Sequence, residues 1–262
     1  MRRLPAAALV FLGTFVALAF LALPVAAIFA RVTPGKLVAQ LGNPVVTDAL
    51  LVSLKTTLVA QALVLVLGTP AAWVLATRRF RGRSLLVTLV ELPLVLPPAV
   101  AGIGLLAAFG RTGLLHSSIP FTQAAVVLAV SFVASPLYVR AAIAAFEAID
   151  ANLVAASRTL GAGPVRTFFR VVLPLARGGL GAGAALAFAR GLGEFGATIM
   201  FAGSLRGVTQ TLPLAVYAEF DVNFDVALAV SALLVVISAA LLVTLKWLPS
   251  ASTSRFRFAT SS

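Results

Sequence analysis

Two residues of opposite charge, Arg190 and Glu194, lie inside a run that is otherwise apolar. Their spacing would place them on one face of a continuous helix, where a guanidinium and a carboxylate can pair. Because an ionisable group is costly in apolar surroundings, it usually pairs or faces water. The two residues therefore form either a structural ion pair or part of a translocation path or gate. A proton relay is disfavoured, since no chain of further acids follows.

The other chemical signals in the sequence are weak. The segment GLGEFG, from Gly191 to Gly196, fits the dinucleotide pattern G-x-G-x-x-G, but that pattern binds a pyrophosphate only where a strand turns into a helix. The chain has no phosphate loop and no cysteine, and its single histidine, His116, lies in a polar connector. We therefore expect no catalytic residue and no metal site, and any ATP would have to be hydrolysed by another chain.

The composition indicates an integral membrane protein. Of the 262 residues, 61% are hydrophobic and 11% are charged, and the mean hydropathy is +1.08. Soluble domains carry about 25% charged residues, so no soluble fold could hide this much apolar surface. The net charge of +12 comes from basic clusters between apolar runs, which is typical of topological signals and not of nucleic-acid binding.

Six apolar runs are long enough to cross a bilayer as helices, and together they predict a single all-α transmembrane domain over residues 1–262. Because the runs are continuous, they do not fit the alternating strands of a membrane barrel. The first run is longer than a signal-peptide core, so we expect a retained helix. The predicted spans are approximately 6–29, 47–76, 85–109, 122–146, 172–201 and 226–248.

The distribution of basic residues predicts that both termini are cytoplasmic. With the N-terminus inside, the inner connectors and the span ends next to them hold most of the Lys and Arg residues, which satisfies the positive-inside rule. Glu91 and Lys55 lie near span ends and could snorkel to an interface. These inner basic residues are Arg2 and Arg3, the arginines of 78–83 and 158–177, and Lys246, Arg255 and Arg257.

Prolines and glycines predict that two of the spans are not simple cylinders. Pro93, Pro97 and Pro98 remove backbone hydrogen bonds in the third span, which should therefore be buried in protein or line a path. The many glycines of the fifth span allow helix backbones to approach closely. Between the last two spans, the outer connector 202–225 holds Thr209–Thr211 and three acids, and we expect it to be a surface for an outside partner.

The inner connector 150–171 is predicted to be structured. Asp150 or Asn152 can cap a short helix that runs to about Leu160. Gly161 suits the left-handed position that ends such a helix, and Pro164 suits the first position of the next one. A solvated loop needs neither feature, so we interpret this segment as a docking element.

The same connector resembles a signature of the membrane subunits of ABC importers, E-A-A-x-x-x-G-x9-I-x-L-P. Aligned on the glycine, the signature falls on Ala155, Ala156, Ser157, Gly161, Val171, Leu173 and Pro174, with Ala155 in place of the acid. Three longer stretches are similar to the molybdate or tungstate permeases of that class. They are SLKTTLVAQALVLVLGTPAAWVLA, VELPLVLPPAVAGIGLLAAFGRTGLL and FARGLGEFGATIMFAGSLRGVTQTLPLAVY.

The resemblance implies a type I ABC importer permease in the cell membrane that works by alternating access. It implies a homodimer of permeases, two ABC ATPase subunits that hold ATP-Mg, and an extracytoplasmic oxyanion-binding protein. It leaves molybdate, tungstate and sulfate open as cargo, and the alternatives to an importer are an ion-coupled secondary transporter and a structural scaffold. The implied docking residues are Asn152, Ala155, Ala156, Ser157, Arg158, Thr159, Leu160, Gly161, Ala162, Gly163 and Pro164.

Overall fold

The computed structural model describes residues 6–247, and over that range it consists of helices and their connections. Arg2, Arg3 and the tail 248–262, on which part of the predicted orientation rests, lie outside the described residues. The helices are α1 Ala6–Arg31, α2 Pro34–Leu41, α3 Pro44–Thr77, α4 Arg83–Val95, α5 Pro98–Phe109, α6 Gln123–Glu147, α7 Ala151–Thr159, α8 Pro164–Thr167, a π-helical turn Phe168–Val172, α9 Leu173–Leu192, α10 Gly196–Ala202, α11 Leu212–Glu219 and α12 Phe224–Trp247.

The first, second, fourth and sixth predicted spans correspond to single helices α1, α3, α6 and α12. In the described part of the chain, five helical segments are long and apolar enough to cross a membrane, and the bent pair α4–α5 makes up to a sixth. These apolar runs of the sequence therefore coincide with long helices of the structure, because a long apolar run is a local property of the chain.

The third predicted span, 85–109, is not one helix. It is divided into α4 and α5, whose axes are bent by 117°. Leu96 and Pro97 both have extended backbone, with ψ of 134° and 132°. Each precedes a proline, and the proline ring disfavours helical backbone in the residue before it. Pro93, by contrast, lies inside α4 without ending it.

Despite the bend, the pair α4–α5 packs against α6 near both of its ends. At the start of α4, Arg83 forms an ion pair of 2.7 Å with Glu147, the last residue of α6. Leu105 of α5 belongs to the same buried cluster as Ala125 and Val126, near the first residue of α6. The pair is thus either one broken crossing or a re-entrant hairpin that packs along α6.

The fifth predicted span, 172–201, also differs from the prediction. Its helical segment begins earlier, at Pro164, and passes through the π-helical turn into α9. It then stops at Leu192, and α10 begins at Gly196. The predicted continuous helix is therefore wrong at residues 193–195, where a short break separates the two parts.

Glycines in α9 allow it to lie directly against α6. A Cβ placed at Gly179 would lie 2.5 Å from the Cβ of Ala145, and one placed at Gly183 would lie 2.6 Å from the Cβ of Ala141. Small residues permit this close approach of two helix backbones in a membrane. Gly181, on the same helix, has open space around it, so only part of the glycine-rich run serves the packing.

We predict opposite effects on stability for two alanine substitutions in α9. Gly181→Ala should stabilise the helix by about 1 kcal/mol, because alanine is the better helix former and meets no neighbour there. Gly179→Ala should cost about 1–3 kcal/mol, since its Cβ overlaps Ala145 and forces the helices apart. Thermal unfolding of the two variants in the same detergent measures the difference, and equal shifts would contradict the packing argument.

The outer connector is only partly a surface. Contrary to the prediction, Thr209, Gln210 and Thr211 are buried, and the Leu212 amide donates a 2.7 Å hydrogen bond to Ser53 Oγ of α3. The segment folds back onto the bundle through two glycines with positive φ, Gly203 and Gly207. The exposed parts lie on both sides of this buried stretch, at residues 205–208 before it and at Phe220, Asp221 and Val222 after it.

Candidate functional site

The first candidate site is the helix–turn–helix corner 150–171, which we call the coupling segment. Asp150 caps α7 by accepting a 2.9 Å hydrogen bond from the amide of Asn152, so Asp150 and not Asn152 is the cap. At the other end, Gly161 has φ of +82°. Its amide donates to the Arg158 carbonyl and the Ala162 amide to the Ser157 carbonyl, both at 3.0 Å. This is the Schellman arrangement that ends helices at a glycine.

The second arm of the coupling segment begins as the sequence predicts. Gly163 precedes Pro164, the first residue of α8, and the Thr167 amide donates a 2.9 Å hydrogen bond to the Gly163 carbonyl. The hydroxyls of Ser157 and Thr167 lie 3.0 Å apart, so a side-chain hydrogen bond joins the two arms across the turn. Thr167 is buried, which protects this bond from water.

An aromatic cluster fixes the coupling segment to the helix bundle. The ring of Phe168 lies 5.6 Å from that of Trp73 on α3 and 6.3 Å from that of Phe146 on α6, measured between centroids. Trp73 and Phe146 are themselves in edge contact at 5.2 Å. Phe168 is the first residue of the π-helical turn. This form of helix is rare overall, and where it occurs it is often at a functional site. A displacement of the corner must therefore reach α3, α6 and α9.

The exposed surface of the coupling segment combines apolar side chains with the arginines Arg166 and Arg170. Leu160 is 87% exposed, Val165 70% and Phe169 60%, and side chains between 161 and 170 line an open groove of about 620 Å³. Exposed apolar side chains grouped in this way usually mark an interaction surface. Of the eleven predicted docking residues, Ser157 and Ala162 are half-buried and the other nine are exposed, including Ala155, where the signature acid is absent.

The second candidate site is the ion pair in the break of the fifth span. The Arg190 guanidinium lies 2.8 Å from the Glu194 carboxylate, whose side chain is only 1% exposed. The prediction that both share one continuous helix face is wrong, since α9 ends at Leu192 and Glu194 lies in the break. Glu194 Oε1 also accepts a 2.8 Å hydrogen bond from the Ala197 amide, which lies in the first turn of α10. The break thus supplies the buried carboxylate with its second partner.

The breaks in the third and fifth spans meet. A Cβ at Gly196 would lie 2.6 Å from the Cβ of Pro98, and one at Gly102 would lie 2.6 Å from the Ala197 carbonyl, so α5 and α10 are in direct contact. Beside them is a cavity of about 120 Å³, which Arg190 lines together with Pro93, Leu94, Leu96, Pro98, Ala101 and Val133. The interrupted third span therefore forms most of the wall of this small space, and Arg190 of the ion pair reaches it from the fifth span.

Sequence reasoning did not identify a further ion pair, between Glu91 of α4 and Arg140 of α6. Arg140 Nε lies 3.2 Å from Glu91 Oε1, and the two side chains are 60% and 38% exposed. Glu91 therefore pairs with a neighbouring helix, where the sequence suggested snorkelling to an interface. The available signal was the presence of both charges in apolar runs, but the pairing requires knowledge of which helices are neighbours.

Comparisons with known proteins agree with this architecture. The family described as "Binding-protein-dependent transport system inner membrane component" matches residues 65–248. The chain is 45% identical over 237 residues to the "Molybdenum transport system permease protein ModB" of Mycobacterium tuberculosis, covering 88% of this chain and 90% of that one. It is 43% identical over 178 residues to the protein of the same name from Escherichia coli K12, covering 65% and 78%.

Two solved structures share the fold. One shows inward-facing conformations of the MetNI methionine ABC transporter, with a TM-score of 0.62 and 23% identity, covering 78% of this chain and 94% of that chain. The other is a bacterial ABC transporter involved in the import of alginate, with a TM-score of 0.64 and 16% identity, covering 95% and 99%. At these identities the similarity concerns the fold alone.

Proposed function

This chain belongs to the family of binding-protein-dependent transport system inner membrane components, and from that premise we propose that it moves molybdate across the cell membrane as the spanning subunit of an ATP-driven importer. The observation that carries this proposal is the 45% identity, over most of both chains, to permeases named for molybdenum transport. Its several apolar spans make it a multi-pass protein of the inner membrane.

We propose further that two copies of the chain form the pathway and that each docks one ABC ATPase subunit through its coupling segment. The exposed apolar residues Leu160, Val165 and Phe169 support this role, since they form a surface that a partner can cover. The ATPase subunits would hold ATP-Mg and supply the hydrolysis, and an extracytoplasmic protein would bind the oxyanion and deliver it. In this arrangement both termini of the chain are cytoplasmic.

The geometry supports alternating access by rigid-body motion. When ATP closes the two ATPase subunits, the coupling segments are drawn together. The hydrogen bond between Ser157 and Thr167 keeps each corner intact, and the contacts of Phe168 with Trp73 and Phe146 carry its movement into α3 and α6. The outer side then opens to receive the anion, and hydrolysis returns the helices to the inward-open state. In this mechanism the chain contributes the movement of its helices, and the ATPase subunits contribute the hydrolysis of ATP.

Uptake by the assembled importer in membrane vesicles tests the proposed function. We expect labelled molybdate to accumulate only when ATP and the oxyanion-binding protein are both present. Excess tungstate and excess sulfate, added separately, identify which related anions compete. Accumulation driven by an ion gradient without ATP would favour a secondary transporter, and accumulation of sulfate but not molybdate would assign the chain to the sulfate-type importers.

A further inference from the structure

Two ion pairs border the same helix, α4, at successive levels. Glu91 of α4 pairs with Arg140 at 3.2 Å. Further along α4, Pro93 and Leu94 line the small cavity beside Arg190, which pairs with Glu194. Arg140 belongs to α6, Arg190 belongs to α9, and Glu194 lies in the break before α10. Both arginines nevertheless lie along one side of α4.

Both pairs lie between the two ends of α6, a helix long and apolar enough to cross a membrane. Along α6, which rises about 1.5 Å per residue, Arg140 is about 10 Å from the end of the helix at Glu147. Val133, which lines the cavity beside Arg190, is about 21 Å from that end. The hydrocarbon core of a bilayer is about 30 Å thick, so the pair of Arg190 lies deeper within the span and the pair of Arg140 lies nearer its end at Glu147.

In both pairs the arginine is the more exposed member. Arg140 is 60% exposed and Glu91 38%, and Arg190 is 37% exposed and Glu194 1%. A charged side chain at this depth faces a water-filled cavity or another protein and not lipid. Each guanidinium uses one nitrogen for its carboxylate among the described residues. The remaining donors of its planar fork suit a tetrahedral oxyanion.

We propose that Arg190 and Arg140 are successive contact points for the oxyanion on its way to the cytoplasm, along α4. This inference rests on the proposed function and adds the route. When no oxyanion is bound, Glu194 neutralises Arg190 and Glu91 neutralises Arg140. When an oxyanion arrives, the anion replaces part of the carboxylate's contact with the arginine. A site that already has an internal partner holds the anion weakly, which favours release, because conduction requires binding that is easily reversed.

Cysteine labelling tests whether the space between α4 and α6, beside the two arginines, is filled with water. The natural chain has no cysteine, so an introduced cysteine is the single site of reaction. Leu137→Cys keeps both ion pairs and lies on α6 between Val133 and Arg140, at helical spacing from each and about 15 Å from the end of the helix. Leu67→Cys on α3 is the matched control, because it is the same substitution at about 15 Å from the end of its own helix. The probe is an anionic, membrane-impermeant thiosulfonate, applied to the assembled importer in vesicles.

We expect the Leu137→Cys variant to react at least about tenfold faster than the Leu67→Cys variant, because anions concentrate in a cleft lined by positive charge. Exposure alone predicts the reverse order, since Leu137 is half-buried and Leu67 is 61% exposed. Molybdate should slow the first reaction and leave the second unchanged. Equal rates in the two variants would overturn the proposal. Ready disulfide formation between the Leu137→Cys positions of two copies, without reaction with the thiosulfonate, would also overturn it and identify this face as the contact between permeases.

Transport by Arg140→Met and Arg140→Lys importers gives a second readout. The methionine variant should lose about tenfold in molybdate uptake, and the lysine variant should retain most of it, while both still bind the ATPase subunit. If the unmodified importer takes up no molybdate, the proposed function fails. If it does and both variants equal it, only this route is wrong. The labelling comparison decides the matter even where the methionine variant fails to assemble.

Discussion

Replacing Gly161 with valine should abolish ATP-dependent uptake and co-purification of the ATPase subunit. Gly161 has φ of +82°, in a region where a β-branched residue costs about 1–3 kcal/mol. The turn at Gly161 also makes the two hydrogen bonds that end α7. The Gly161 amide donates to the Arg158 carbonyl, and the Ala162 amide donates to the Ser157 carbonyl. Without this turn the exposed surface of Leu160 and Val165 loses its shape, and the partner subunit loses its docking site.

Gly207→Val is the matched control for this experiment. Gly207 also has a positive φ, of +71°, and like Gly161 it has no neighbour within 4 Å. It lies in the outer connector, away from the coupling segment, so its substitution adds similar backbone strain without touching the docking surface. We expect this variant to co-purify with the ATPase subunit. If Gly161→Val retained both the partner and uptake, the assignment of the coupling segment would be wrong.

Removing Arg190 should destabilise the protein far more than removing Glu194. In Arg190→Met the carboxylate of Glu194 stays 1% exposed with only the Ala197 amide as its partner, and an uncompensated buried charge costs about 3–5 kcal/mol. In Glu194→Gln the side chain keeps an oxygen for that amide, and Arg190, which is 37% exposed, reaches water. The cost of this change should be about 1–2 kcal/mol.

The double variant Arg190→Met with Glu194→Gln separates the charge effect from packing. Since no charge is then left unpaired, its stability should return most of the way to that of the natural chain. Thermal unfolding of all four proteins in one detergent gives the coupling between the two positions. Additive losses in the double variant would show that the pair does not act as a unit, and a larger loss for Glu194→Gln would reverse the assignment of the buried member.

Local chemistry explains why the coupling segment was the best predicted part of the molecule. The capping acid Asp150, the left-handed Gly161 and the initiating Pro164 act on backbone within a few residues of themselves, so their effects follow from neighbouring sequence. The choice between Asp150 and Asn152 needed the structure, because both residues suit a cap and only the hydrogen bond distinguishes them.

The positions of the helix breaks were harder to predict from the sequence. The prolines of the third span predicted an interruption, and Pro97 and Pro98 place it at Leu96 and Pro97. The angle of 117° was not predictable, because it involves the direction in which α5 packs against α10. The break after Leu192 was missed altogether. Glycines can remain in a helix or end one, and here the Glu194 carboxylate favours the second outcome by accepting a hydrogen bond from an amide in the first turn of α10.

The sequence by itself determined the membrane class, the rough limits of most long apolar helices, and the shape of the coupling corner, since apolar run length and turn chemistry are properties of contiguous residues. The tertiary structure decided which charges pair, as with Glu91 and Arg140, and which polar residues are buried, as with Thr209 and Thr211. The physical reason is that pairing and burial depend on which helices are neighbours, and that arrangement is set by the packing of the whole bundle.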